Sequence, residues 1–593
     1  MIDKEVAQVF DRRSALFLGG GAILTSLLVL RMLQMQVFNH KSYLKKSENN
    51  SFRIQINMPP RGKILSRNGA PISRDTPIYR IYIVPEEAGK ENIDTLVDMV
   101  ARELNLGEKR IKKIREKIAK QPAFQPVLVS QNTDWSELAR IQAKNLPGLR
   151  VASGYARVYE MGPAGSQFFG YVGEPVKPIA AAPFYTTGIA GLEKRYNNDL
   201  AGTPGQTVYI TNAVGRVTGE DKTQYVAPIP GPDLQTTIHD GAQRVMFDAL
   251  TTHRAGCGVA LSVETGDILA MVSTPGFDPN QFTSDDGDEY IASLISDVAK
   301  PFMNKTVEGL YPPGSTFKIV VALAALESGA LSPKSTVFCP GHWDYGDRRY
   351  HCWEHKGHGY VNLAQALKHS CDIYFYQLAL KIGIDAIKRM AVKLGFTEKY
   401  MGDILAREMP GVIPDRKWKE KNTGTKWVNG DTVISGIGQG FILVNCLQLA
   451  TMLARVVSNK VVKPRLIMSD TTPCFEDLNL KEQNIKSVLT GLEEVTKPGG
   501  TASGSAINVD GARMGGKTGT SQVRSISKAE RQRGVLTNEQ LKWNMRNHGL
   551  FVGYAPTKNP KYVVCIITEH AGGSGPAART AAAVMKELLK SGV

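Results

Sequence analysis

Ser315 and Lys318 stand three residues apart in Tyr311-Pro312-Pro313-Gly314-Ser315-Thr316-Phe317-Lys318, which leads into the apolar run IVVALAALESG. Pro-Gly predicts a helix start here, with Ser315 in the first turn, near the positive end of the helix dipole and near backbone N–H groups without helical partners. Lys318 then lies on the same face, one turn along. A lysine packed against apolar neighbours loses its proton more readily, because burial disfavours the charge. A neutral amine can activate a hydroxyl as a nucleophile. Ser-x-x-Lys alone is a weak signal, and Ser42/Lys45 and Ser525/Lys528 match it too. Neither opens an apolar helix, so both are set aside.

The second stretch is Ser370-Cys371-Asp372. In an extended segment residues i and i+2 point the same way. Ser370 and Asp372 are therefore expected to face a cleft while Cys371 faces away. Ser73-Arg74-Asp75 and Ser284-Asp285-Asp286 match the pattern without supporting context. The third stretch, Gly515-Gly516-Lys517-Thr518-Gly519-Thr520, holds the chain's single Lys-Thr-Gly. It sits where strand character resumes. Glycine there permits close backbone approach, and Lys517 offers a positive charge to a carboxylate. Any one stretch reads as a surface turn. Together, in this order, they predict one serine-nucleophile site.

Cys339, Cys352, His358 and Cys371 follow the spacing C-x12-C-x5-H-x12-C. These are soft ligands of the number and type that a tetrahedral structural zinc uses. Cys371 is the middle of the second motif, so a metal there would brace the catalytic loop from behind. A Cys339–Cys352 disulfide in an oxidising compartment and unrelated buried thiols are the competing readings. His342, His351, His355, Asp344 and Asp347 are alternative ligands nearby. Cys257, Cys446, Cys474 and Cys565 read as core thiols.

These motifs must be positioned by a large framework. The chain has 593 residues, 42% hydrophobic and 22% charged, with 57 glycines and 31 prolines. That excludes disordered and collagen-like classes. Seven cysteines exclude a disulfide scaffold. The net charge of +16 suits a polyanionic partner. There is no zinc-finger array, arginine-rich helix or aromatic-studded strand, so nucleic acid is not the expected partner. Ser14 to Leu30 is one apolar run, SALFLGGGAILTSLLVL, and apolar positions continue past Arg31. It predicts an uncleaved membrane helix over 14–36, with Arg31 snorkelling. A cleaved signal peptide is the alternative. Flanking charges are nearly balanced. The expected orientation, tail inside and body outside, follows from the short 1–13 tail.

FRIQIN (52–57) and YRIYIV (79–84) alternate as strands do, around an Asn68-Gly69 turn. Lys109 to Lys117 reads as a solvated helix face. GLEKRYNNDLAGTPG (191–205) reads as a short helix ending in a loop. GVALSVETGDILAMVSTP (258–275) reads as a hairpin turning at Glu264 to Asp267. Helical periodicity is expected over 318–456, strands over 511–570 and a closing helix. The expected fold class is α+β, with boundaries 1–13 (tail), 14–36 (transmembrane helix), 37–230 (elongated, β-rich non-catalytic domain) and 231–593 (catalytic domain).

Ser-x-x-Lys, then Ser-x-Asn or Ser-x-Asp, then Lys-Thr-Gly is the signature of serine penicillin-recognising enzymes. The chain resembles class B penicillin-binding proteins over nearly its full length. RGKILSRNG, GLEKRYNNDLAG, VETGDILAMVSTPGFDPN, GQGFILVNCLQLA, PGGTA and HGLFVGYAP add to the likeness, as do the intervals of 55 residues from Ser315 to Ser370 and 147 from Ser370 to Lys517. Asp372, with PDRKWK and WVNGDT, is most similar to the penicillin-binding protein 2 branch, the elongation-specific D,D-transpeptidases.

The resemblance implies a β-lactamase-like antiparallel sheet with helices on both faces, above a pedestal domain. It implies that Ser315 attacks the D-Ala-D-Ala carbonyl of a peptidoglycan stem peptide and that Lys318 takes its proton. Ser370 would relay the proton to the departing D-alanine, and Lys517 would close the network. The N–H groups of Ser315 and Thr520 would form an oxyanion hole, a contribution of about 3 kcal/mol per donor. Thr518, Gly519 and Thr520 would hold the substrate, whose carboxylate falls to the two threonines. Glu308 and Tyr311 would line the approach. Asp372 departs from the commoner Asn, and either pairing with a lysine or binding an acceptor amine would suit it. No cofactor is needed for the chemistry; the zinc is not part of the resemblance. β-Lactams would be trapped on Ser315. A SEDS-type (RodA-like) glycosyltransferase and an MreC-like scaffold are the implied partners, at the inner membrane. A D,D-carboxypeptidase, a β-lactam sensor and a catalytically silent scaffold are the alternatives.

Overall fold

The computed structural model describes residues 4–39, 52–89, 91–175, 185–211, 217–284, 286–524, 530 and 533–592. Ser42/Lys45, Ser525/Lys528 and Asp285 lie outside the described residues. The chain divides into two compact units, one of 1–60, 175–185 and 201–231, the other of 61–174, 186–200 and 232–593. Much of the expected non-catalytic domain thus packs as one body with the catalytic domain.

In the smaller unit, a helix runs over Lys4–Leu33 and continues as a π-helical turn over Gln34–Phe38. Ser14–Phe38 is long and apolar enough to cross a membrane. The Arg31 guanidinium donates to Gln34 Oε1 at 2.7 Å instead of ending bare in the apolar stretch. The same unit holds a three-stranded antiparallel sheet, with Gly205–Thr211 between Phe52–Asn57 and Val217–Val226.

In the larger unit, Pro71–Ile83 pairs along its length with Leu149–Tyr159 and partly with Val127–Thr133. The turn before it is the expected one: Ser66 N donates to Ala70 O, and Gly69 has φ +80°. The lysine-rich helix Glu108–Lys120 buries only Ile114, so its charges form a solvated face. RGK and GLEK meet in a buried cluster. Arg61 Nε donates to Glu193 Oε2 at 2.6 Å, and Arg157 bridges Glu193 and Asp75. Removing one member would strand a charge in the interior. Asp75, set aside with Ser73, is therefore structural.

The catalytic region is built on a five-stranded antiparallel sheet of β1 (Gly256–Ser262), β2 (Ile268–Thr274), β3 (Gly515–Ser521), β4 (His548–Ala555) and β5 (Tyr562–Thr568), in the order β2-β1-β5-β4-β3. β1 and β2 form the hairpin read from the sequence. Both faces are covered, so the strands read as continuous apolar runs. Val259, Leu261, Val552, Val563 and Cys565 join one core; Ala260, Phe551, Val564 and Ile566 join the other. Asp240–Thr251 (α1) and Gly575–Ser591 (α7) cover the second face. Lys318–Glu327 (α2), Leu363–Lys368 (α3), Asp372–Lys393 (α4), Cys446–Ser458 (α5) and Glu482–Glu494 (α6) lie on the first. Within 318–456 the helices are interrupted by two small antiparallel pairs, Val337–Cys339 with Gly359–Val361 and His342–Tyr345 with Arg348–His351. These short strands lack the alternation that would reveal them in the sequence.

Candidate active site

Ser315 does not lie in the α-helix itself. Gly314–Phe317 forms a 3-10 turn, and α2 begins at Lys318. The turn is pinned by Gly314 N donating to Gly438 O at 2.9 Å and Thr316 Oγ1 donating to Pro313 O at 2.7 Å. Gly314 takes φ +54°, and a Cβ there would stand 2.6 Å from Thr520 O. Glycine is therefore what lets the nucleophile turn and the end of β3 meet backbone to backbone.

Lys318 is fully buried, and its Nζ donates to Ser370 O (2.8 Å), Ser370 Oγ (3.2 Å) and Asp372 Oδ1 (2.7 Å). The carboxylate of Asp372 forms an ion pair with this lysine. The other carboxylate oxygen of Asp372 accepts from Trp353 N at 3.0 Å.

Ser370 and Asp372 do share one side, but not through an extended loop. Ser370 is left-handed (φ +55°) between the end of α3 and the start of α4, and Asp372 is the first residue of α4. That conformation is strained for serine, and such strain persists only where the surroundings over-determine it. Two hydrogen bonds from Lys318, to Ser370 O and Oγ, do so here, with a third to Asp372 two residues on. Cys371 is fully buried on the other side.

Lys517 on β3 is also fully buried. Its Nζ donates to Thr518 O at 3.3 Å, and no carboxylate pairs with it among the described residues. Burial pushes its ammonium well below the ordinary lysine range; the charge of Lys318 pushes the same way, and Asp372 opposes. Thr518 Oγ1 lies 2.7 Å from Thr501 Oγ1, while Thr520 is exposed, and Thr520 O accepts from Gln439 Nε2 at 3.1 Å. Gly519 serves the protein's own packing: a Cβ would lie 3.0 Å from Thr316 Cγ2 and 3.1 Å from Pro313 O. Trp353, Thr501 and Gln439 were not singled out in the sequence. Thr501 and Gln439 lie in PGGTA and GQGFILVN, which carry the resemblance, and Trp353 follows Cys352 directly.

Tyr311 is buried and its hydroxyl donates to Glu569 Oε1 at 2.8 Å. Glu308 Oε1 accepts from Asn304 N at 3.3 Å, and burial pushes its carboxyl up.

Behind the motif, the ligand atoms of Cys339, Cys352, His358 and Cys371 all lie within 4.8 Å of one another. His358 Nδ1 is 3.6 Å from Cys339 Sγ and 3.5 Å from Cys352 Sγ. Tetrahedral thiolate ligands about a zinc stand about 3.8 Å apart, so the donors are pre-gathered. The hydrogen bond with Cys371 pulls the Cys352 thiol below its ordinary range, against its burial. All seven cysteines are free thiols, including Cys339 and Cys352, and Cys474 is exposed and not a core thiol. Asp344 is taken by Arg349 at 2.7 Å. Neither it nor His342, His351, His355 or Asp347 joins the cluster.

The penicillin binding protein transpeptidase domain model matches residues 256–590, and the penicillin-binding protein dimerisation domain model matches 56–236. The peptidoglycan D,D-transpeptidase MrdA of Escherichia coli K12 is 30% identical over 98% of this chain and 94% of the relative. That of Haemophilus influenzae is 30% identical over 99% and 93%. A Pseudomonas aeruginosa PBP2 structure, in complex with WCK 5153, is 29% identical with TM-score 0.65, covering 91% of this chain and 97% of that one. A Helicobacter pylori PBP2 structure, in complex with MreC, shares the fold at 24% identity and TM-score 0.76, covering 91% and 99%. With a buried lysine–serine–aspartate cluster behind a serine turn, and these relatives along nearly its whole length, the chain belongs to the penicillin-binding protein transpeptidase family.

Proposed function

We propose that this chain is a serine D,D-transpeptidase that cross-links peptidoglycan stem peptides during cell elongation, with Ser315 as nucleophile. The observation that carries this is the convergence of Ser370 and Asp372 on the buried ammonium of Lys318, one turn from Ser315. Ser315 Oγ attacks the D-Ala-D-Ala carbonyl and its proton enters the network of Lys318, Ser370 and Lys517. Lys318, held as an ion pair, orients Ser370. Lys517 is the amine that burial favours in the uncharged form. The N–H groups of Ser315 and Thr520 stabilise the developing oxyanion. Collapse of the intermediate expels D-alanine, which takes the proton through Ser370. The amine of a second stem peptide then attacks the acyl-enzyme, loses a proton to the network and restores Ser315. Thr518 and Thr520 receive the donor's terminal carboxylate, with Gly519 keeping β3 against the serine turn. β-Lactams acylate the same oxygen.

The names of the relatives favour transfer over D,D-carboxypeptidase or a silent scaffold. Residues 14–36 anchor the chain in the inner membrane, with 1–13 inside and the body on the peptidoglycan side. Residues 37–230 serve as pedestal and 231–593 as the transpeptidase domain. An MreC-like scaffold and a RodA-like SEDS glycosyltransferase are its partners in this reading. Cys339, Cys352, His358 and Cys371 would hold a structural zinc, which would brace Ser370 and Asp372 from behind. Labelling with fluorescent penicillin tests the mechanism: the native chain takes up the label and Ser315→Ala does not. Equal labelling of the two would overturn it.

A further inference from the structure

A cavity of about 570 Å³ lies where β1 and β4 begin and β5 ends. Its floor includes Tyr311, four residues before Ser315, and His548, the cross-strand partner of Ser521. Four residues of chain span at most about 14 Å, so this wall lies close to the nucleophile turn.

The charges on the lining are unbalanced. Arg254, Lys300 and Lys542 are exposed at the rim, and none has a carboxylate partner among the described residues. The Arg254 guanidinium stands 4.4 Å over the Trp543 ring, which meets His570 edge-on at 4.6 Å. Stacking fixes the plane of the guanidinium and leaves its fork of donors for a planar anion. Lys305 below is buried, its Nζ donating to Ala299 O at 2.7 Å. The lining's one carboxylate, Glu569, already accepts from Tyr311. Aromatic walls, rim cations and a volume fit for one or two amino-acid residues describe a site for a small carboxylate-bearing ligand.

We infer that this cavity is a subsite for a carboxylate of the acceptor, the second peptide, whose amine resolves the acyl-enzyme. The inference rests on the transpeptidase reading. There the donor has one terminal carboxylate, received at Thr518 and Thr520. A further cationic site, whose Tyr311 wall is at most about 14 Å of chain from the nucleophile, suits a carboxylate on the attacking partner.

The test uses the full chain in detergent, acylated by a thioester donor and offered D-alanine or D-alaninamide, which differ only in the carboxylate. Arg254→Gln and the double variant Arg254→Gln/Lys300→Gln change exposed positions, so the fold is retained. The acceptor concentration for half-maximal transfer rises about tenfold for D-alanine in the double variant. It stays unchanged for D-alaninamide, and fluorescent penicillin labelling keeps its native rate. The difference between the two acceptors in the native chain shrinks as salt rises. Unchanged D-alanine transfer, or equal loss with both acceptors, would overturn the subsite. A native chain that takes up no penicillin would instead overturn the transpeptidase reading beneath it.

Discussion

Lys318 Nζ and Asp372 Oδ1 lie 2.7 Å apart in the interior, although 54 residues separate them in the chain. Asp372 also accepts from Trp353 N. One carboxylate thus joins α2, the start of α4 and the loop that carries Cys352.

Asp372→Asn removes the negative charge and leaves Lys318 buried without a counter-ion. Stability should fall by about 3 kcal/mol, the usual cost of breaking a buried pair from one side, and acylation by labelled penicillin should slow with it. A native acylation rate would show that the pair does not position Ser370.

Lys517→Arg places a permanent positive charge where burial disfavours one. Acylation should drop by at least about 100-fold, the scale of a lost proton-transfer group, with the chain still folded by circular dichroism. An acylation rate within about threefold of native would remove Lys517 from the proton network.

Purified native chain should hold about one zinc, counted by elemental analysis. Cys352→Ser should lower that count to near zero and slow penicillin acylation, because Trp353, next in sequence, is tied to Asp372. A metal-free native chain with full activity would leave the four side chains as ordinary buried groups.

His548 is pushed down to about 3, first by burial and then by the neighbouring His570. An unfolded histidine takes its proton near 6.5. Between those values the unfolded chain binds the extra proton, so stability falls as pH drops through the window, by up to about 1.4 kcal/mol per pH unit. His548→Gln should flatten the acid side of the urea-midpoint profile between pH 6 and about 4. An unchanged slope would assign the acid sensitivity to other groups.

Gly519→Ala adds a methyl 3.0 Å from Thr316 and 3.1 Å from Pro313 O. Overpacking of this kind costs about 1–3 kcal/mol, and here it would pry β3 from the serine turn. Acylation should slow more than the urea midpoint falls. Native acylation with an unchanged midpoint would show that the turn has room to spare.

The serine turn, the hairpin at 264–267 and β3 were legible because local rules govern them: Pro-Gly before an apolar run, a four-residue turn between apolar strands, a return of strand character. The Cys339–Cys352–His358–Cys371 cluster was legible from ligand type. The Lys318–Asp372 pair was legible only as one of two alternatives for Asp372, and its lysine was not, because no local rule links residues in α2 and α4. Ser370 was expected in an extended segment, since a left-handed serine has no sequence signal. The strands over 337–361 are too short for a period to show, and Trp353 sits in a loop where no face is defined. The Arg254–Trp543 pair depends on the starts of β1 and β4 flanking the end of β5, which only the sheet order reveals.

Because Ser370 and Asp372 meet Lys318 while Cys371, between them, sits among thiols, one tripeptide serves two compartments. A substitution that shifts Cys371 at the rear is therefore expected to disturb the grip of Ser370 and Asp372 on Lys318 at the front.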